Sequence, residues 1–424
     1  MNRKELQTLV KRLYLTEQQS QAHRPTGTKV PLSVPSFDWE EVAEALDSLI
    51  TTKVTMGSKV KAFEEAFAKY LGAKEAIMVN SGSSANLLAL SVLSNPKLGE
   101  KRIKPGDEVI VPATTWSTSV FPIINIGAIP VLVDVNVEDF SIKVNDVEEA
   151  ITHKTKAIIP VHLLGFPCDM DRIMDVAKRN NLFVIEDACE AHGAELKGKK
   201  AGTFGGMGTF SFFFSHHITT IEGGMVVTDD ESYAELARIL RAHGWIRDMK
   251  HKESVISTYP DLDPRFLFVN IGFNMRPTEI QGAFGIHQIG KLEKFIKIRR
   301  ENAKYWNETL RNYPDYFVIH EERDKTKAVW FGYPITLKPQ APFNKRDLIA
   351  YLESKGIETR PITAGNLDEQ PAMKLFNYRK VGDLMSSRYI LRNSFFIGNH
   401  HGIREKEREY VAETIRSFIQ MKIR

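Results

Sequence analysis

From residue 37 to about residue 290 the chain alternates short β-branched apolar runs with stretches whose apolar positions recur every three or four residues. That alternation specifies a mostly parallel sheet covered by helices on both faces. The expected strands are 75–80 (EAIMVN), 107–112 (DEVIVP), 129–135 (IPVLVDV), 156–164 (KAIIPVHLL), 182–187 (LFVIED), 208–214 (GTFSFFF) and 223–229 (GGMVVTD). Seven strands make one large α/β domain. Helical spacing from about Glu279 to Arg311 then predicts a long helix bridging two domains. Beyond it, 329–337 and 356–362 read as strands, and 345–355 and 405–420 as helices, which together predict a smaller C-terminal α/β domain. The expected organisation is an N-terminal helix and linker over 1–36, a large domain over 37–290 and a small domain over 291–424.

Several classes are excluded by simple counts. Lys plus Arg (57) against Asp plus Glu (53) gives a net charge of +4, too small for a nucleic-acid footprint, so any anionic partner must be recognised locally. No segment approaches the roughly 18 uninterrupted apolar residues of a membrane span. The start, MNRKELQTLVKRLYLTEQQSQ, lacks the apolar stretch of a signal peptide and reads as an amphipathic helix, followed by a Pro-, Ser- and Thr-rich linker over 22–36. With only two cysteines, Cys168 and Cys189, one chain cannot assemble a four-cysteine iron–sulfur cluster or zinc site, and a cytoplasmic setting is expected.

Ligands of open α/β sheets sit beyond the carboxyl ends of the strands, so the residues there carry the chemistry. After the first strand comes Ser81-Gly82-Ser83-Ser84-Ala85-Asn86 and then an apolar helix. Small residues at such a turn offer free backbone N–H groups to a phosphate, although a plain helix cap uses the same residue types. After the second comes Trp116, which could stack on a flat heterocycle or fill core. After the fifth comes Glu186-Asp187-Ala188-Cys189-Glu190. A carboxylate closing a hydrophobic strand calls for a cation such as a protonated ring nitrogen; the alternative is a helix-capping aspartate. The adjacent pair His216-His217 could suggest a metal, but neighbours on a strand face opposite ways and no third ligand lies at useful spacing, so no metal is expected.

These motifs, with Ser211, His216 and Glu222-Gly223-Gly224, resemble the DegT/DnrJ/EryC1/StrS sugar aminotransferase family of fold-type I pyridoxal-phosphate enzymes. The resemblance runs from about Thr55 to His400 and includes RAHGW (241–245), GFNMRPTEIQGAFG (272–285), WFGYPI (330–335), RPITAGN (360–366) and FIGNH (396–400). In that family a Lys five residues after the phosphate-contacting Ser holds the cofactor covalently. Here that position is His216, and no Lys occurs from Ala201 to Met249. An imidazole cannot condense with the cofactor aldehyde, yet it moves protons near neutral pH. The substitution is similar to the nucleotide-sugar 3-dehydratase branch of the family. A related His-bearing branch uses a cysteine-bound iron–sulfur cluster after the Gly-Trp segment, and 246–270 contains no cysteine.

The resemblance implies pyridoxal 5'-phosphate and pyridoxamine 5'-phosphate as cofactor, L-glutamate as amino donor and a nucleotide-activated 4-keto-6-deoxyhexose as substrate, GDP-4-keto-6-deoxy-D-mannose foremost, with loss of the carbon-3 hydroxyl. Gly82, Ser83 and Ser211 would hold the phosphate, Trp116 would stack on the ring, Asp187 would pair with the ring nitrogen, Glu190 would bond the ring hydroxyl and His216 would be the acid/base. Asn274 would reach the phosphate from the partner subunit of a homodimer. Arg241, His243, Arg247 and Arg360 are candidates for substrate diphosphate or carboxylate, each equally readable as a surface ion pair. Two competing readings stay open: an ordinary nucleotide-sugar 4-aminotransferase, and a binding protein that keeps the fold without catalysis.

Overall fold

The computed structural model describes residues 3–22 and 29–423. Its main sheet has eight strands in the order Glu75–Val79, Gly224–Thr228, Met207–Ser211, Phe183–Asp187, Thr155–Ile158, Glu108–Pro112, Ile129–Val133 and Arg379–Lys380. All seven strands expected over 75–229 are present. The eighth was not foreseen, because two charged residues carry no hydrophobic pattern; it pairs parallel with Ile129–Val133 and brings the C-terminal part of the chain back to the sheet edge. Gly224–Thr228 runs antiparallel to both neighbours, and the other pairings are parallel. Strands Glu108–Pro112, Met207–Ser211 and Gly224–Thr228 are buried along their whole length, as expected when helices cover both faces of a sheet.

The long helix expected over 279–311 is interrupted. Glu279–Gln288 ends in a tight turn at Ile289–Lys291, and a second helix runs Leu292–Leu310. Gly290 sits in that turn, where weak helix propensity makes a break cheap. A capping box of Thr278 with Gln281 starts the first helix. Beyond it, Phe317–Val318, Gly332–Leu337, Ser394–Gly398 and Thr359–Pro361 form an antiparallel four-stranded sheet, flanked by helices Lys345–Ser354 and Glu405–Ile423.

At the other end, a helix spans Arg3–Ala22. It packs on helix Trp39–Ile50: Val10 is buried, the Tyr14 hydroxyl donates to the Phe37 carbonyl at 2.9 Å, and Arg3 pairs with Glu44 at 3.1 Å. Of the expected linker over 22–36, residues 23–28 lie outside the described residues. From Lys29 the chain is pinned, since the Val30 N–H donates to the Gly356 carbonyl at 3.0 Å and Val30 bridges to Ile357.

Candidate active site

Several strand ends converge on a cleft of about 350 Å³. Its walls include Ser81, Gly82, Ser83, Trp116, Asp187, Cys189, Glu190, Ser211, His216, Glu222 and Arg360. One end is shaped for an anion. Ser81 caps helix Gly82–Leu93 by accepting from the Ser84 N–H at 3.1 Å, while the Gly82 and Ser83 N–H groups take no partner among the described residues. The helix dipole adds partial positive charge there. A Cβ on Gly82 would meet the Ser211 Cβ at 2.5 Å and its Oγ at 2.9 Å, so only glycine lets the helix start lie against that hydroxyl. Ser81 is thus the helix cap, and the next two residues leave N–H groups free for an anion.

At the opposite end, Asp187 closes its strand 5 % exposed. Its Oδ2 accepts from Asn86 Nδ2 at 2.9 Å and from Ser119 Oγ at 2.7 Å, and Oδ1 from the Cys189 N–H at 3.1 Å. No cationic side chain pairs with it among the described residues, so a fixed, buried carboxylate faces a cleft that a cation can enter. Asn86 is itself held by Thr209, whose hydroxyl donates to Asn86 Oδ1 at 2.6 Å. Sequence reading passed over Asn86 and Ser119. The available signal was a buried amide one turn into an otherwise apolar helix, where it must have a partner.

Glu190 accepts from the Leu164 N–H at 2.7 Å. Burial pushes its pKa up to about 7, the Leu164 bond opposes the rise and the neighbouring Asp187 charge adds to it. Burial likewise raises the Cys189 thiol well above its ordinary range, so it is a neutral wall rather than a nucleophile. The Trp116 indole is 58 % exposed. It therefore is not core, and a large flat surface stands free at the cleft mouth.

His216 lines the cleft beside Phe331, with ring centroids 5.1 Å apart and planes at 67°, and Phe213, at 6.1 Å. Its Nδ1 is buried without a hydrogen-bond partner. Burial, reinforced by the Arg299 charge, pushes its pKa down to about 3, so the imidazole is uncharged at neutral pH and able to accept a proton. Among the described residues no lysine lines this cleft. His217 points elsewhere: it is fully buried, and its Nε2 lies 3.2 Å from the Val329 carbonyl.

The remaining arginine and histidine candidates separate. Arg360 lines the cleft. Arg241 does not: it is buried, and its guanidinium donates to Glu64 Oε1 and to the Met78 carbonyl, both at 2.7 Å, so the ion-pair alternative describes it. His243 is exposed at a turn with φ of +65° and lines no part of this cleft. Arg247 and Asn274 line a second cavity of about 280 Å³ together with Trp245 and Arg276, whose Nε donates to Asn274 Oδ1 at 3.0 Å. In this single chain Asn274 is thus not part of the cleft that holds Ser211.

A phosphate cradle, a free indole face, an unpaired buried carboxylate and an uncharged histidine in one cleft fit a phosphorylated pyridine cofactor that enters without covalent capture. Fold and site together define a fold-type I pyridoxal-phosphate protein. The chain belongs to the DegT/DnrJ/EryC1/StrS aminotransferase family, whose sequence pattern matches residues 35–416. It is 42 % identical over 375 residues to GDP-4-keto-6-deoxy-D-mannose 3-dehydratase of Yersinia pseudotuberculosis, covering 87 % of this chain and 94 % of that protein. A solved structure of a GDP-4-keto-6-deoxymannose-3-dehydratase mutant with bound GDP-perosamine superimposes with a TM-score of 0.86 at 38 % identity, covering 91 % of this chain and 100 % of the other. Another, with a trapped PLP–glutamate geminal diamine, gives a TM-score of 0.84 at 36 % identity, covering 91 % and 100 %.

Proposed function

We propose that this chain is a hydro-lyase that uses pyridoxal and pyridoxamine phosphate to remove the carbon-3 hydroxyl of a nucleotide-activated 4-keto-6-deoxyhexose, GDP-4-keto-6-deoxy-D-mannose foremost, with L-glutamate as amino donor. The observation that carries this reading is an uncharged histidine, His216, where the family's tethering lysine would stand, in a cleft that no lysine lines. When bound, pyridoxamine phosphate supplies an amine for the carbon-4 ketone and a ring that accepts an electron pair.

The residues of the chain do the rest. Gly82, Ser83 and Ser211 hold the phosphate. Asp187, fixed by Asn86 and Ser119, favours a protonated ring nitrogen, which makes the ring a better electron acceptor. Glu190, with a pKa near 7, can share a proton with the ring hydroxyl. Trp116 covers the ring. His216 would be the base and acid of the site, its uncharged imidazole accepting a proton on the cleft side and, once charged, able to return it to a leaving hydroxyl. With no lysine in the cleft lining to tether the group, the products of this reading would be a 3-deoxy-4-keto sugar and ammonia. Elimination of water needs no external electrons, so this reading calls for no iron–sulfur cluster.

We further propose that the enzyme is a homodimer with shared active sites. Phe266, Phe268 and Ile271 are 69 %, 53 % and 93 % exposed, an apolar surface that a second copy would cover, and it adjoins the cavity of Asn274 and Arg247. Arg247 and Arg360 remain the candidates for substrate anions. No helix among the described residues is long and apolar enough to cross a membrane, and a cytoplasmic setting goes with these reactants.

The test is incubation with glutamate, pyridoxal phosphate and GDP-4-keto-6-deoxy-D-mannose. Ammonia and a 3-deoxy sugar are expected in equal amounts. A stable 4-amino sugar would instead make the protein an aminotransferase, and the absence of any reaction with glutamate would favour the non-catalytic reading.

A further inference from the structure

Behind His216 lies a feature that the reaction itself does not use. Arg299, on helix Leu292–Leu310, is 3 % exposed and has no carboxylate partner among the described residues. Its NH1 donates to three main-chain carbonyls: Phe331 at 2.8 Å, Trp330 at 3.4 Å and Asn399. Asn399 answers by donating from Nδ2 to the Arg299 carbonyl at 3.1 Å and to the Trp330 carbonyl at 3.2 Å. Burial pushes the Arg299 pKa down to about 9 and its Nε has no partner, so a guanidinium still charged at neutral pH is held only by carbonyl dipoles, an arrangement that costs stability and calls for a reason.

Two observations supply one. Trp330 is held at φ of +50°, a left-handed conformation unfavourable for a residue with a Cβ, and the next residue is Phe331, whose ring packs against the His216 imidazole. The clamp therefore fixes a strained turn that sets one wall of the cleft. In addition, His192 and His217 are fully buried beside His216, their rings 5.4 Å apart, and His192 has no partner on either ring nitrogen. We propose, building on the dehydratase reading, that Arg299 is a positioning residue for the proton-transfer step: it fixes the Phe331 wall against His216 and sets a buried positive charge behind that ring.

The charges around His216 make the sign definite. From its own side come His217, His192 and Arg299; across the cleft are Asp187, Glu190, Glu222 and Arg360. His400 and His401 flank Arg299 and are also held below their ordinary range, by burial first and by Arg299 in addition. The carboxylates favour a charged imidazole and Arg299 opposes it. Removing the Arg299 charge must raise the His216 midpoint.

Two variants separate the clamp from the charge. R299Q removes the charge, whereas R299K keeps it and loses the guanidinium fork. Histidine midpoints are read by NMR on protein without cofactor, with His216 assigned through H216N, and thermal melting checks folding. In R299Q the His216 midpoint should rise by roughly one pH unit, the order expected for one charge at an effective interior dielectric constant. In R299K the midpoint should stay put while kcat falls roughly ten-fold, with KM for the nucleotide sugar changed less than about two-fold. An unchanged midpoint in folded R299Q, or wild-type kcat in R299K, overturns the proposal; if R299Q does not fold, kcat of R299K decides alone. The NMR reading involves no substrate, so it is independent of whether the product proves to be a deoxysugar.

Discussion

The two sides of the His216 ring are built on opposite principles. On the cleft side stand unpaired helix N–H groups at Gly82 and Ser83, a carboxylate without a cation at Asp187, and an indole open to solvent at Trp116. Every one of these is unfinished, and a charged or flat ligand could complete each. On the far side stand Phe212, Phe210, His192, His217 and Arg299, closed to solvent and complete apart from ring nitrogens of His192 and His217 and the Arg299 Nε. The contrast teaches that the cleft side is open to a ligand while the closed side, by burial first and the Arg299 charge second, holds the His216 imidazole uncharged. A lysine here would be tethered to the cofactor; a histidine must instead be kept neutral.

The largest effect should come from the boundary residue itself. H216N retains shape and some hydrogen bonding but cannot serve as base, so dehydration should fall by about 10³-fold or more while cofactor affinity, read by fluorescence titration, stays within a few-fold. Next in size is G82A, whose Cβ would overlap Ser211. The helix start must then shift away, and cofactor affinity should weaken by roughly ten- to a hundred-fold with kcat little altered once the site is saturated. If G82A bound the cofactor normally, the cradle would lie elsewhere. W116A removes a stacking face on the order of 1 kcal/mol, so a several-fold loss of affinity is expected.

The sequence carried the cleft side far better than the closed side. Gly82, Asp187, Ser211 and His216 could be found because strand ends and the turns after them bear short, ordered motifs with residue types unusual for their place. Arg299 lies 83 residues further on, inside the repeating charge pattern of a surface-like helix, and nothing local distinguishes it from Arg300, which pairs with Glu322 at the surface. Its role depends on carbonyls of Phe331 and Asn399, contacts that only the tertiary fold brings together. Arg241 failed in the opposite sense: its motif was visible, yet burial against Glu64 gives it a structural partner. The two-residue strand Arg379–Lys380 was invisible because pairing, not hydrophobicity, creates it.

A further prediction concerns the pH dependence of stability. Glu190 titrates near 7 in the fold against an ordinary value of 4.5, so the native state holds the extra proton. The stability this provides is complete below about pH 4.5 and is lost as the pH rises through about 7, an effect of up to roughly 3 kcal/mol for cofactor-free protein. E190Q should flatten that part of the stability curve measured by urea unfolding. A persisting slope of the same size would assign it to another group.

The central claim is that His216 leaves the cofactor untethered. Protein loaded with pyridoxal phosphate can be reduced with borohydride, denatured and weighed by mass spectrometry, alongside His216→Lys treated identically. The account predicts an unmodified mass for the wild type and one covalently attached cofactor in the variant. Stoichiometric cofactor fixed to any lysine of the wild-type chain would contradict it.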